Sequence, residues 1–509
     1  MFDLKIVNGL IFAGASAGQP WPGCVAVKDG RIAALGAAIS GSARHVLDAA
    51  GQAVSPGFID LHTHCSIGHN LNYLQAGVTT VVSGNCGFGR LPAELPECVA
   101  GRCGPNIAFL TGHNSARREV VGNVNRAPTP GEMGRMVELV AADMAAGAMG
   151  LSAGLEYVPG YYAETSEVIR LARPAADAGG IYTVHMRNEG DRILDAIGET
   201  LRISEEAGLP AHVSHIKTVG VNNFGRSREV IAVLDAARRR GLDVTHDQYP
   251  YTACCGRILL LLSQRLQEGS PSDLRARLDD PAVRARARSE LTEKLERVYG
   301  GDTSRVVVAT APDAAMVGRN LAEIAGMRGR SAKPDDVADA VLDVVKEYPD
   351  QTAIYCVFHN IAEEDVRCFM LSPFTAVGSD GWSVKFREGH AQPRHYGTCP
   401  RVLGRYSRDL GIFPLSEALR RMTALPAERL RLADRGVIAE GAWADLVVFD
   451  PDAIRDTATF DEPHQYPVGI SWVIVNGQIA VDHSRPTGLL PGVFVPRPAT
   501  PARKTTCTV

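Results

Sequence analysis

Two histidines two residues apart, in Asp60-Leu61-His62-Thr63-His64, close the run Ala53-Val54-Ser55-Pro56-Gly57-Phe58-Ile59. On an extended strand, residues i and i+2 point to the same side, so one metal ion can meet both imidazoles. Other short strand-like runs also end in residues with lone pairs to give. Val81-Val82-Ser83-Gly84-Asn85 leads into Cys86, and later runs end in His185, His215 and Asp380. Imidazole, thiolate and carboxylate are zinc's usual ligand set. A lone buried cysteine is most often a small hydrophobe, and a lone histidine is usually packing. Six such residues at strand ends are poorly explained that way and predict a metal site. A divalent cation there would lower the pKa of a bound water toward neutrality and polarise a carbonyl oxygen.

Positioning these residues requires the strands to share a rim. Strand-like runs are predicted at Val54–His62, Val78–Ser83, Asn106–Thr111, Ala148–Leu155, Gly180–His185, Ala211–His215, Asp243–His246 and Thr375–Ser379. Helical patterns lie between several of them, at Pro130–Ala146, Thr165–Ala178, Arg192–Ala207 and Ser227–Arg239. Strands alternating with helices predict an α/β fold, here a (β/α)8 TIM-type barrel spanning residues 54–426. In such barrels, active-site residues sit at the C-terminal ends of the strands. A doubly wound sheet is the alternative, but no phosphate-binding glycine loop supports it. The charged stretch at about 256–350 exceeds an ordinary βα connection and reads as a helical insertion late in the barrel, a candidate lid.

The chain ends share a different grammar. Short strands with turns such as Asp29-Gly30 fill the first fifty residues and return at Ala444–Pro451 and Ile470–Ile479. Ile6-Val7-Asn8-Gly9 and Ile474-Val475-Asn476-Gly477 are near-copies. Residues 1–53 and 427–485 are therefore expected to form one small β-sandwich module. The stretch 486–509, rich in Pro, Thr and Arg, is expected to be a loosely held tail.

Bulk composition excludes some classes. The 509 residues carry 45% apolar and 22% charged side chains with a net charge of −4, the profile of a globular protein. That balance gives no reason to invoke nucleic acid or a membrane surface. Ile258-Leu259-Leu260-Leu261-Leu262 is too short to span a bilayer. Eleven cysteines without disulfide-like spacing point to a reducing compartment, read as the cytoplasm.

The motifs resemble a known family. His62-x-His64 after Pro56-Gly57-Phe58-Ile59-Asp60, Gly77 to Gly87, and Ser214-His215-Ile216-Lys217 are similar to the amidohydrolase superfamily. Gly112-His113-Asn114, His185-Met186-Arg187-Asn188-Glu189-Gly190, Tyr249-Pro250-Tyr251, Gly378-Ser379-Asp380-Gly381 and Tyr396 to Leu403 resemble its N-acyl-D-amino-acid deacylase branch. The likeness spans nearly the whole chain. It implies a tight Zn2+ on Cys86, His185 and His215, and a second, weaker metal position near His62, His64 and Asp380, with Cys86 as a bridge. Many relatives bridge with a carbamylated lysine, but no lysine ends strand four; a thiolate has lone pairs for two metals. Asp380 is implied as general base and acid, taking a proton from water and passing it to the leaving nitrogen.

An N-acyl amino acid also carries a carboxylate that needs a cation and a hydroxyl. The resemblance places Lys217 and Tyr249 there, with Arg187 as a further candidate, and His113 either contacts the reacting oxygen or packs in the core. Cys254-Cys255-Gly256 stands where relatives have serine or threonine, and Cys65-Ser66 where they have aspartate; the roles of Cys65, Cys254 and Cys255 are left open. The resemblance thus implies hydrolysis of N-acyl-D-amino acids, a small-molecule substrate, with the oligomeric state open. A cyclic amidase of the hydantoinase or dihydroorotase kind is the nearest rival, and the absent lysine argues against it. Gly150-Leu151-Ser152-Ala153-Gly154 matches a serine nucleophile elbow, but Pro159-Gly160 follows where that motif needs a helix. A non-catalytic scaffold would be expected to have lost ligands, and all six are present.

Overall fold

The computed structural model describes residues 1–14, 19–91, 95–350 and 352–499. Eight parallel strands form a ring in three arcs. The first three are Phe58–Asp60, Val78–Ser83 and Asn106–Phe109, each paired with the next. The third continues as Thr111–Gly112, which starts a parallel run through Gly150–Gly154, Ile181–His185, Ala211–Val213, Val244–Gln248 and Thr375–Val377. Closure comes from the continuations of the eighth and first strands, Gly381–Trp382 pairing with Thr63–His64. The predicted barrel is the observed one, and its seam runs through the candidate ligands. The Asp380 amide donates to the His62 carbonyl at 2.8 Å.

The helices follow their sequence signals. Pro130–Ala145 starts with a capping box, the Thr129 side chain accepting from the Glu132 amide while Glu132 reaches back, with proline in the first turn. Thr165–Asp177, Ile193–Ala207 and Ser227–Arg239 each bury one stripe against the strands.

Both chain ends build one nine-stranded sheet, in which Phe2–Ile11, Trp21–Lys28 and Arg31–Gly36 lie on the same path as Leu446–Phe449, Ile470–Val475 and Gln478–Asp482. Leu446 and Val448 face a core shared with Ile6, Val25 and Ile474, whereas Val447 and Phe449 face the main core. Burial on both faces explains why these strands read as continuous apolar runs instead of alternating ones. The near-copies do different work. Asn476-Gly477 turns a hairpin with both residues at positive φ, while Asn8, at φ 54°, sits in a bulge between Ile6 and Gly9.

Three expectations need correction. Val54 was expected to open the first barrel strand, but Ala53–Pro56 pairs antiparallel with Leu446–Phe449 in the module sheet, and the barrel strand starts at Phe58. The Pro56-Gly57 break separates the two. The expected helical insertion runs from Cys254 to Phe358. Its described residues contain four α-helices and also an antiparallel sheet of Cys254–Arg257, Val306–Thr310 and Tyr355–Phe358, around its own apolar core. Within the expected loose tail, Phe494 bridges to Ile107, Val495 is buried, and the Arg497 amide donates to Gly147. Residues 500–509 of that tail lie outside the described residues.

Asp60 ties the seam. Its Oδ1 accepts from the amides of His62 at 3.1 Å and Ser379 at 3.0 Å, and its Oδ2 has no hydrogen-bond partner among the described residues. Burial pushes this carboxyl up to about 7, against the opposing pull of the Ser379 and His62 hydrogen bonds. Asp60→Ala orphans two buried amides and is expected to cost about 2–4 kcal/mol, read from urea midpoints. Asp60→Asn keeps the acceptor. Because a raised carboxyl binds its proton better when folded, the native protein loses this stability as pH rises from about 4 through 7. Asp60→Asn should therefore gain on the native protein at pH 8 relative to pH 4.

Candidate metal centre

Every candidate ligand sits where a barrel strand ends and the backbone turns. Cys86, His215 and Asp380 have φ of 55°, 35° and 48°, a region that residues other than glycine seldom occupy. The surroundings enforce it at Cys86. Gly84 and Gly87 also have positive φ, and a Cβ on either would lie 2.3 Å from the Leu110 carbonyl oxygen or 2.1 Å from Asn114 Oδ1. Between them the Asn85 amide donates to the carbonyls of Val82 and Leu61. Ser152, from the apparent nucleophile elbow, is fully buried within strand four and accepts from the Gly87 amide at 2.8 Å. It braces the cysteine turn.

The result is a thiol surrounded by imidazoles. Cys86 Sγ lies 3.5 Å from His62 Nε2, 3.7 Å from His64 Nε2, 3.9 Å from His185 Nδ1 and 3.6 Å from His215 Nε2. Asp380 Oδ1 is 3.1 Å from His64 Nε2 and 3.5 Å from His62 Nε2. The S···N edge of a tetrahedron with metal–sulfur and metal–nitrogen bonds of ordinary zinc length is about 3.6 Å. Two donor groups meet that test, His62, His64, Cys86 and Asp380 in one, and Cys86, His185 and His215 in the other. Cys86 belongs to both. The residues fit a metal centre.

Behind three of the rings stands a carboxylate. Asp247 Oδ2 is 3.6 Å from His62 Nδ1, Glu156 Oε2 is 2.9 Å from His185 Nε2, and Glu189 Oε1 is 3.1 Å from His215 Nδ1. Glu156 and Glu189, at hydrogen-bond distance, fix their rings so that the other nitrogen faces Cys86, while Asp247 stands at ion-pair distance from His62. Asp247 also accepts from the His215 amide at 2.8 Å and faces His212 Nε2 at 2.8 Å. Arg394, fully buried, places NH1 2.7 Å from Asp380 Oδ2.

These charges set the proton positions. Burial pushes the Cys86 thiol up, but His62, His64, His185 and His215 outweigh it and bring it well below its usual value. Burial likewise works against charge on His185, and Glu189, Cys86 and Glu156 overcome it, pushing the imidazole up to about 10. Burial opposes the ionised Glu189 carboxylate, yet Lys217 and the two imidazoles bring it down to about 2. Asp380, opposed by burial and favoured chiefly by Arg394, is held well below the usual carboxylate range.

Of the other anticipated residues, Lys217 lies at the centre and Tyr249 beside it. Lys217 Nζ is 2.6 Å from Glu189 Oε2 and 2.9 Å from His215 Nδ1. Tyr249 is buried with Arg394 4.7 Å over its ring, and its hydroxyl has no hydrogen-bond partner among the described residues. Two candidates are elsewhere. Arg187 clamps Glu199 with two 2.8 Å contacts and donates to the carbonyls of Tyr161 and Ala163, so its cation is spent on holding a loop. His113 is fully buried with Nε2 2.9 Å from Glu167, which also pairs with Arg117; it is a packing residue. Sequence reasoning passed over Glu156, Glu189, Asp247 and Arg394. Asp247 lies one residue past the predicted end of strand seven, and extending that strand would have found it.

Two cavities meet at the centre and share Tyr157, Cys255 and Asp380. One, of 140 Å³, is walled by His185, His215, Lys217 and Lys294; the other, of 510 Å³, by His64, Cys86, Phe88 and Arg394.

A closed (β/α)8 barrel with a thiolate–imidazole–carboxylate centre at its strand ends, opening on cavities, defines a metal-dependent hydrolase. Comparison with known proteins gives the family. The amidohydrolase pattern matches residues 45–254 and 374–481. The D-aminoacylase of Alcaligenes xylosoxydans xylosoxydans is 36% identical over 515 residues, covering 94% of each chain. The structure of N-acyl-D-glutamate deacylase from Bordetella bronchiseptica, complexed with zinc and a phosphonate mimic of the tetrahedral intermediate, is 33% identical with a TM-score of 0.81, covering 98% of this chain and 100% of that one. A D-aminoacylase structure concerned with its binuclear metal centre, one-metal activation and second-metal attenuation is 33% identical, with a TM-score of 0.80 and the same coverage. The chain belongs to the amidohydrolase family.

Because a metal takes the place of imidazolium protons, binding must release them. Titrating zinc into metal-free protein at pH 7 is expected to release protons, and the apparent affinity should rise with pH through the neutral range. Calorimetry in two buffers of different ionisation enthalpy reads both.

Proposed function

We propose that this chain hydrolyses the amide bond of N-acyl-D-amino acids, releasing a carboxylic acid and a free D-amino acid. One observation carries the reading: a single thiol faces four ring nitrogens at the mouth of a barrel, with one carboxylate beside them. Zinc is the proposed metal, held tightly by Cys86, His185 and His215, with a second position at His62, His64 and Asp380. When bound, it supplies Lewis acidity that activates water and polarises the scissile carbonyl.

The chain's own residues do the rest. Asp380 Oδ1 faces the ligand nitrogens while Oδ2 rests on Arg394, which keeps the carboxylate ionised and ready to accept a proton. That proton then passes to the departing nitrogen, without which the amine is a poor leaving group. Glu156, Glu189 and Asp247 hold their imidazoles in orientation and take no part in bond making. Tyr249, with its unpartnered hydroxyl, and Lys217, on the cavity wall, support recognition of the substrate's α-carboxylate.

No helix among the described residues is long and apolar enough to cross a membrane. The ten described cysteines are all free thiols, which fits a reducing compartment, and the cytoplasm is the proposed location.

Cys86→Ala is expected to lose bound zinc and turnover of N-acetyl-D-amino acids together. Asp380→Asn should keep the tightly held zinc and lose about 10²–10⁴-fold in kcat. Metal analysis and rates on the same purified variants check this, with N-acetyl-L-amino acids as the stereochemical control. Near-normal turnover by Asp380→Asn would remove it from the proton-transfer role.

A further inference from the structure

Asp380 lies beyond the end of the eighth strand, at positive φ, so its aim depends on what holds the residues that follow it. Those residues, Gly381–Trp382, pair with Thr63–His64 over a ladder of two residues. So short a ladder is too weak to fix a carboxylate by itself.

Two buried side chains complete the attachment. His395 Nδ1 accepts from the Trp382 amide at 2.9 Å. The Asn72 side-chain amide donates to the Trp382 carbonyl at 3.0 Å and to the His395 carbonyl at 2.8 Å. Both polar groups of the Trp382 backbone therefore end on this pair. Acceptance at Nδ1 requires a neutral ring with its proton on Nε2. Burial, and then the Arg394 guanidinium, bring His395 down to about 3, so the ring keeps that form through the neutral range.

The clamp joins the two halves of an ion pair. Trp382 stands two residues after Asp380, and His395 follows Arg394 in the helix Arg394–Arg401. Arg394 in turn lies 2.7 Å from Asp380 Oδ2. Asn72, on the short helix Leu71–Leu74, holds one carbonyl on each side. Neither His395 nor Asn72 belongs to a metal-donor group or to a cavity wall among the described residues.

We propose that His395 and Asn72 are positioning residues that fix Asp380 between Arg394 and the ligand nitrogens, in line for proton transfer. The inference rests on the deacylase reading above and deepens it. A reacting group misplaced by about 1 Å can lose about 10²-fold in rate, so a clamp remote from the substrate can govern turnover.

The test separates the acceptor from the bulk of the ring. His395→Asn can set an oxygen where Nδ1 stood, whereas His395→Gln sets its polar end where Nε2 stood and loses the bond. His395→Gln is expected to lower kcat for an N-acetyl-D-amino acid by about tenfold or more, with KM moved less and the tight zinc retained. His395→Asn should recover most of that loss, and Asn72→Leu, which removes both donors, should reproduce it. Added to Asp380→Asn, His395→Gln should cost little more, because its effect passes through that carboxylate. In metal-free protein, amide hydrogen exchange at Trp382 should quicken in His395→Gln and stay slow in His395→Asn. Equal kcat for His395→Gln and His395→Asn would overturn the proposal, as would an undiminished loss in the Asp380→Asn background or unaltered exchange at Trp382. If His395→Gln does not fold, Asn72→Leu carries the same background and exchange tests. If the native protein hydrolyses no N-acetyl-D-amino acid, the deacylase reading falls and this inference with it; with native turnover intact, those outcomes remove the clamp alone.

Discussion

The constraint on which the rest depends is the thiolate of Cys86, buried in a place where it must be compensated by positive charge. Four ring nitrogens face it at 3.5–3.9 Å. Around them stand Asp380, Asp247, Glu156 and Glu189, while Arg394 and Lys217 are the fixed cations in contact with those carboxylates. Anions outnumber fixed cations. A buried imbalance of that kind is untenable, so it is made up by imidazolium protons or by divalent metal. Metal affinity is thereby built into the charge layout of the whole rim.

The same atoms close the barrel. Asp60 holds the amides of His62 and Ser379, the Asp380 amide bonds the His62 carbonyl, and Thr63–His64 pairs with Gly381–Trp382. Ligand geometry and strand registry are one set of hydrogen bonds. This accounts for the positive φ at Cys86, His215 and Asp380: the backbone bends at each strand end to aim a side chain at the axis, and surrounding glycines and buried acceptors hold the bend.

Much of this was legible in the sequence because barrel strands end in chemistry. His62, His64, Cys86, His185, His215 and Asp380 each stop a run of apolar residues, and parallel strands place such stops on one rim. What could not be read was the destination of long side chains. Arg187 and His113 lie in motifs beside true site residues, yet Glu199, in the next helix, and Glu167, 54 residues on, capture them. Arg394 opens a helix with no local sign that its guanidinium reaches Asp380. The insertion's sheet was missed because Cys254–Arg257 is short and its partner, Tyr355–Phe358, lies about a hundred residues on, beyond the reach of local pattern.

That division has a chemical counterpart. The family pattern covers residues 45–254 and 374–481, and every proposed metal ligand falls inside it. Cys255, Arg257, Tyr355 and Lys294, which line the cavities beyond the metal centre, fall in the stretch between. The barrel therefore fixes how a bond is broken, and the insertion, with an apolar core of its own, contributes much of the wall against which a substrate is selected. The insertion's core is separate from the barrel's, although Tyr355 still packs against Trp382 of the seam at 4.6 Å. Likeness to a D-aminoacylase and to an N-acyl-D-glutamate deacylase thus carries the reaction across.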